Sequence, residues 1–235
     1  MTSFAGLSAV YLNASLKKEA SDSHTLLLME KSASIMRAEG VDVEMIHMLD
    51  HKIGFGMVTD AVADNGADAD EWPAIQAKIM AADILVIGSP IWLGVKSSLA
   101  TLAIERMYAS SGEKNAKGQY LYYGKTAGCI VTGNEDGVKA VGMELLYAFQ
   151  HIGYVVPPQA DCGWIGEAGP GPSYGDEDPD TGRPFGFDND FTNRNTTIMT
   201  WNLMHQAKIL ADLGGFPDKG NVSADWQSVT NAAQY

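Results

Sequence analysis

Ile84-Leu85-Val86-Ile87-Gly88-Ser89-Pro90-Ile91-Trp92-Leu93-Gly94 is the stretch that decides the fold. Its first four residues form an uninterrupted apolar run, the pattern of a strand covered on both faces in the middle of a parallel sheet. The turn-forming residues that follow read as a loop leaving the carboxyl end of that strand. Beyond it the stripe Leu99, Leu102, Ala103 and Met107 predicts a helix over Ser97 to Ala109. Strand, loop and helix in this order make most of a βαβ unit.

The same unit recurs on either side. Further strands are expected at Leu7 to Leu12, at Val41 to Met48, at Thr126 to Val131, and at a fifth position beginning near Tyr154. Alternation of Val41, Val43, Met45 and His47 with Asp42, Glu44, Ile46 and Met48 places the second at an edge or in a semi-exposed position. Helices are expected from His24 to Glu39, from Glu71 or Trp72 to Ala82, around Val141, Leu145, Leu146 and Phe149, and from Thr196 to Leu213. Asp60 to Glu71 reads as a solvated loop, and Phe216 to Tyr235 has too little pattern to assign. Gly163 to Asn195 is rich in Gly, Pro, Asp and aromatics without periodicity, a length that marks a functional loop or a cover over a site. The expected fold is α/β, a doubly wound five-stranded parallel sheet with helices on both faces and a long insertion before the last helix. It is read as one domain over 1–235, with a core at about 7–213, an insertion at 163–195 and a tail at 216–235.

Composition narrows the function. With 46% hydrophobic and 19% charged residues the chain belongs with globular proteins. A net charge of −13 argues against nucleic acid, because phosphate-backbone binding needs clustered Lys and Arg, and no cluster goes beyond Lys17 and Lys18. The same charge would repel an anionic membrane surface. Met1 to Gly6 has no basic patch leading into an apolar run, and no apolar stretch approaches the roughly 20 residues of a membrane span. A cytoplasmic location is therefore expected. Cys129 and Cys162 lie far apart, outside any C-x-x-C spacing, and the five histidines show no metal spacing, so no metal site is expected. Both cysteines read as buried thiols.

In doubly wound sheets ligands sit outside the carboxyl edge of the strands, so the loops after the first, third and fourth strands should converge. The first, Asn13 to Thr25, sets the hydroxyls of Ser15, Ser21, Ser23 and Thr25 ahead of a helix amino terminus. Unpaired amides and the positive dipole end there favour an anion such as phosphate; the alternative is that Ser23 or Thr25 only caps the helix. Neither a Walker A loop nor G-x-G-x-x-G is present. The third-strand loop is S-P-I-W-L-G, and the fourth is Thr132-Gly133-Asn134-Glu135-Asp136-Gly137, by itself only a good turn sequence.

Together, these three loops resemble those of the flavodoxin-like NAD(P)H-dependent FMN reductases. The resemblance covers about Leu7 to Gly153 and the final helix. It implies FMN as cofactor, with the first loop on the phosphate, the second on the isoalloxazine ring and the third at the ring's pyrimidine side. Ser15, Lys17, Ser23, His24 and Thr25 match the phosphate loop, here lengthened around Glu19 to Asp22. Lys17 either reaches the phosphate or stays solvated, and His24 contributes either its side chain or only its backbone amide. Ser89, Pro90, Ile91, Trp92, Leu93 and Gly94 match the flavin loop, with Trp92 where many relatives carry Tyr or another aromatic. Thr132, Gly133, Asn134, Asp136 and Gly137 match the third loop, with Glu135 and Asp136 expected to point outward or steady it.

The resemblance also implies NADPH or NADH as co-substrate, a small electron acceptor such as a quinone or nitro compound, and a homodimer or higher homo-oligomer. No catalytic side chain is required, since the flavin carries the chemistry. The insertion, with Tyr174, Arg183, Phe185, Phe187 and Phe191, either covers the flavin and accepts nicotinamide, with Arg183 on a cofactor phosphate, or packs at a subunit contact. Two alternatives stand beside the reductase. One is a flavodoxin-type FMN electron carrier without a nicotinamide site; the other is a flavin-free binding module.

Overall fold

The computed structural model describes residues 3–134, 136–166 and 171–232, with the backbone alone for 165 and 228–232. Strand β1 (Ser8–Asn13) leads into helix α1 (His24–Ala38), then β2 (Asp42–His47), α2 (Ala61–Asn65), α3 (Trp72–Ala81) and β3 (Ile84–Trp92). A two-residue β4 (Val95–Lys96), α4 (Ser98–Ala109), β5 (Thr126–Gly133), α5 (Val138–Ile152), β6 (Asp161–Ile165), α6 (Asp190–Asp212) and α7 (Ser223–Ala232) follow. The sheet order is β2-β1-β3-β5-β6, all parallel, with β4 folded back antiparallel on β3. Counting parallel strands alone this is the 2-1-3-4-5 order of a flavodoxin-like doubly wound sheet, whose switch point lies between β1 and β3.

Side chains alternate across the sheet and build two cores. Val10 and Leu12 of β1, Leu85 and Ile87 of β3, and Cys129 and Val131 of β5 pack with Trp72, Ile75 and Ile79 of α3, Met107 of α4 and Leu145 and Phe149 of α5. Ala9, Tyr11, Val86, Ile130 and Cys162 face the other way, onto Leu28, Met29 and Met36 of α1 and Met199, Leu203 and Ala207 of α6. Both cysteines are buried, on opposite faces. Burial pushes the Cys162 thiol up to about 12 and holds Cys129 well above the ordinary thiol range, so neither presents a thiolate. Among the described residues no helix is long and apolar enough to cross a membrane.

Several boundaries differ from the sequence reading, each for an identifiable reason. The fifth parallel strand does not begin near Tyr154. Val155 makes only an isolated bridge to Thr126, Pro157 and Pro158 cannot donate to a ladder, and pairing with β5 resumes at Asp161. The insertion is shorter than 163–195, because Gly163 belongs to β6 and Asp190 to Asn195 to α6. The start of α6 is hidden because its buried stripe is threonine. Thr192, Thr196 and Thr200 are inside at i+4 spacing, and the Thr196 and Thr200 hydroxyls donate to the carbonyls of Thr192 and Thr196 at 2.8 and 2.7 Å. Asn189 caps this earlier start, accepting from Thr192 N at 2.8 Å. The supposed solvated loop before α3 contains α2, and α7 lies in the unassigned tail.

Residues 171–189 double back on themselves. Phe185 N donates to Asp176 O and Gly186 N to Tyr174 O, each at 2.9 Å, and Glu177 bridges Pro184 antiparallel. Tyr174 anchors this turn by burying its ring in the second core, edge-on to Trp164 of β6 with centroids 6.0 Å apart.

Candidate functional site

The carboxyl ends of β1, β3 and β5 open into one cavity of about 270 Å³. Ser15, Lys17, Asp22, His24 and Thr25 line it from the first loop, Pro90, Ile91 and Trp92 from the second, and Thr132, Gly133 and Asn134 from the third. Ser173, Tyr174 and Asp176 close it from the insertion, on the side where the sequence offers a cover over the site as one of two alternatives. The second and third loops are pressed together. A Cβ on Gly137, whose φ is +133°, would lie 2.7 Å from the Gly94 carbonyl oxygen. The third loop also holds the insertion, since Asn134 Nδ2 donates to Gly171 O at 3.2 Å.

At the β1 end the donors are sorted. Ser23 is the N-cap of α1: its Oγ accepts from Leu26 N at 3.0 Å and donates to Asn13 Oδ1 at 3.4 Å, and the residue is buried. Its hydroxyl is engaged by the helix and by Asn13, in keeping with the capping alternative, and Ser23 does not line the cavity. Ser15 Oγ accepts from Lys17 N at 3.2 Å, leaving its proton for the cavity. The Thr25 and Thr132 hydroxyls lie 2.7 Å apart, so one donates to the other and one proton remains. First-turn amides have no intrahelical acceptor, and here they belong to His24 and Thr25, both at the cavity wall. Lys17 is exposed, and His24 Nε2 lies 3.8 Å from Asp176 Oδ1.

The second loop divides between lining and support. Trp92 is 49% exposed and forms the cavity's flat apolar wall with Ile91 and Pro90. Ser89 is wholly buried and does not line the cavity. Its Oγ accepts from Ser97 N at 3.0 Å, tying β3 to α4. Leu93 and Gly94 form the two-residue turn between β3 and β4 with φ of 51° and 80°; Leu93 is 91% exposed, and neither residue lines the cavity. Asp136 is exposed, neither it nor Gly137 lines the cavity, and Glu135 lies outside the described residues.

The arrangement can hold an anion at one end and a flat ring at the other. Hydroxyl protons and helix-terminal amides without a buried cation suit a phosphate monoester, an indole with aliphatic neighbours suits an isoalloxazine ring, and Asn134 with the Gly133 backbone suits its polar edge. FMN carries all three features, so the donor set fits it. Among the described residues no group of three or more His, Cys, Asp and Glu is gathered as metal ligands.

Arg183 does not line this cavity. It pairs with Asp188 Oδ2 at 3.0 Å and faces a second cavity of about 420 Å³ with Leu27, Glu30, Lys31, Tyr174 and Phe187. Tyr174 walls both cavities. Its hydroxyl is buried with no partner among the described residues, and burial pushes it up to about 12. Tyr174→Phe is therefore expected to leave stability unchanged or raise it by up to about 1 kcal/mol, because an unsatisfied buried hydroxyl is removed at constant shape. Thermal melting checks this, and a loss above about 1 kcal/mol would mean the hydroxyl has a partner in solution.

The profile of the NADPH-dependent FMN reductase family matches residues 7–164. The chain is 53% identical over 207 residues to the divalent metal cation transporter MntH of Mycobacterium bovis, aligning 88% of this chain with 29% of that protein. It thus spans under a third of the transporter's length. It is 34% identical over 210 residues to the 8-demethyl-8-aminoriboflavin-5'-phosphate synthase of Streptomyces davaonensis, covering 88% of this chain and 79% of that one. The crystal structure of RosB with the bound intermediate 8-demethyl-8-formylriboflavin-5'-phosphate superposes with a TM-score of 0.78 at 30% identity, over 97% of this chain and 86% of that chain.

Proposed function

The chain belongs to the NADPH-dependent FMN reductase family, and from that membership we propose that it is an FMN-dependent oxidoreductase taking reducing equivalents from NADPH or NADH and passing them to a small acceptor. The observation that carries this reading is the convergence of the three carboxyl-edge loops on one cavity with phosphate donors at one end and Trp92 at the other. When bound, FMN supplies the hydride chemistry that no side chain here can provide.

The chain's own residues bind, orient and exclude water. Ser15, Thr25 and the first-turn amides of α1 hold the phosphate, with the positive end of the helix dipole adding to the attraction. Trp92, Ile91 and Pro90 lie against the ring and strip water from that face. Asn134 and the Gly133 backbone orient the ring's polar edge. Tyr174 and Ser173 narrow the mouth, so that an acceptor must be small or flat to approach.

Anaerobic addition of NADPH or NADH to the purified, FMN-loaded protein is expected to bleach the flavin absorbance. Reoxidation is then followed with a quinone, a nitroaromatic compound and a ferric chelate. The ferric arm is included because the transporter relative handles divalent metal, and each two-electron cycle would yield two ferrous ions. A protein that stays oxidised with both nicotinamides overturns the reductase reading.

A second reading is favoured by the 34% identity to a synthase named for a modified riboflavin phosphate. In it the flavin is the compound acted upon, not a retained cofactor. Mass spectrometry of the flavin recovered after aerobic incubation with an amino-group donor, so that oxidant and nitrogen are both supplied, separates the two: unchanged FMN supports the reductase, and a flavin altered at its 8-position supports the synthase-like reaction.

A further inference from the structure

Asn13 ends β1 and His47 ends β2, and the parallel register sets them side by side. Both are buried, and Asn13 Nδ2 lies 2.9 Å from His47 Nδ1. The proton positions follow from the partners. Ser15 N is an obligatory donor and lies 3.2 Å from Asn13 Oδ1, which fixes the oxygen of the amide on the loop side and its nitrogen toward the histidine. His47 Nδ1 must then accept, so the ring proton sits on Nε2. That nitrogen lies 3.0 Å from the carbonyl oxygen of Lys17, an obligatory acceptor, and every member of the chain is satisfied.

This relay closes a ring around Ser15. Asn13 holds the Ser15 amide from one side and the Ser23 hydroxyl beside it, while His47 holds the Lys17 peptide two residues further on. Ala14 between them is fixed from the opposite flank: its amide donates to Gly88 O at 2.9 Å and its carbonyl accepts from Ser97 Oγ at 2.7 Å. The consequence is selective. Ser23 is turned away to cap the helix, and Ser15 is left facing the cavity with a free hydroxyl proton.

We propose that Asn13 and His47 are positioning residues for phosphate recognition, holding residues 13–17 in the one shape that aims Ser15 and the α1 amides at the phosphate monoester of the flavin. Neither residue lines the cavity. They act through the loop by pre-organisation, which lowers the ordering cost of binding. The proposal rests on the FMN reading of the cavity and deepens it, because it separates recognition of the phosphate from recognition of the ring.

The test compares FMN with riboflavin, which has the same ring and no phosphate, by fluorescence titration at fixed pH. Wild-type protein is expected to bind FMN more tightly than riboflavin. In His47→Leu the affinity for FMN is expected to fall about tenfold or more, with riboflavin affinity within about twofold of wild type. His47→Gln, which keeps one acceptor and one donor, should recover part of the loss, and Asn13→Asp, which sets a carboxylate beneath the phosphate, should lose FMN but not riboflavin. A merely structural role would lower both affinities together, and that result overturns the proposal, as does an unchanged FMN preference in folded His47→Leu. Wild-type protein that binds neither flavin, or both alike, overturns the FMN reading and this inference with it. Should His47→Leu fail to fold, nitrogen NMR of wild-type His47 decides independently: protonated Nε2 with bare Nδ1 supports the relay, and protonated Nδ1 overturns it.

Discussion

Arg106→Met is expected to remove about 3–5 kcal/mol of folding stability, seen as a lower urea midpoint with little change in slope. Arg106 and Asp70 are both fully enclosed, with Nη2 2.6 Å and Nη1 3.1 Å from the two carboxylate oxygens. The guanidinium also donates to the carbonyls of Gly54 and Thr59, at 2.6 and 3.1 Å, and lies over the Trp72 ring. Asp70 in turn accepts from the amides of Gly54, Ala61 and Trp72. One ion pair thus pins the whole connection between β2 and α3 onto α4. Removing the arginine leaves a carboxylate buried without its counter-charge. The pair cannot be replaced by apolar residues at no cost, because the three amides would lose their acceptor.

The same pair sets an acid limit. Burial pushes the Asp70 carboxyl up, but Arg106 and the three amides outweigh it and hold it at about 2, below its ordinary 3.8. A carboxylate depressed in the folded state binds fewer protons than in the unfolded state, so its stabilisation is present above the ordinary carboxylate range and is lost as pH falls toward 2. The contribution is about 2 kcal/mol. Urea unfolding between pH 6 and pH 2, about the span over which the shift acts, should show wild type losing this increment and Arg106→Met lacking it.

Gly137→Ala is expected to weaken FMN binding by more than about tenfold while lowering the melting temperature far less than Arg106→Met does. Gly137 has φ of +133° at the N-cap of α5, a conformation closed to alanine without strain. The added Cβ would also lie 2.7 Å from the Gly94 carbonyl oxygen and 2.9 Å from its Cα. Both are backbone atoms, so no side chain can swing aside, and the loops after β3 and β5 must separate. Those loops carry Trp92 and Asn134, which line the cavity and would meet the ring in the proposed FMN complex. Flavin titration, with FMN and riboflavin affected alike, distinguishes this ring-end defect from the phosphate-end defect expected at His47. Unaltered affinity for both flavins would show that the contact between the loops does not shape the site.

Much of the scaffold was legible in the chain itself. Ile84 to Ile87 announces a doubly covered strand because burial on both faces removes polar residues from every position. The first loop offers an anion site or a capped helix start, because hydroxyls ahead of a helix amino terminus serve either purpose, and Ser23 takes the second. The strand after α5 was misplaced because Tyr154 to Val156 is apolar for a different reason. Tyr154 stacks on Tyr122 with ring centroids 5.1 Å apart, as core packing and not as a ladder. The beginning of α6 was missed because threonine serves as an inward residue once its hydroxyl is bonded to the preceding turn.

What the sequence by itself determined is therefore the alternation of strands and helices, the parallel sheet and the three loops at its carboxyl edge. These depend on local periodicity and on turn chemistry, which neighbouring residues carry. Which hydroxyls face the cavity was decided only by tertiary structure. Ser15 and Ser23 are alike in type and share one loop, yet Ser15 lines the cavity while Ser23 caps α1 and bonds Asn13, itself paired with His47 across 34 residues. The contribution of Ser173 and Tyr174 and the clamp of Arg106 on Asp70 belong to the same class. Each depends on strand register and on contacts between segments far apart in the chain, and a linear pattern does not record which distant groups meet.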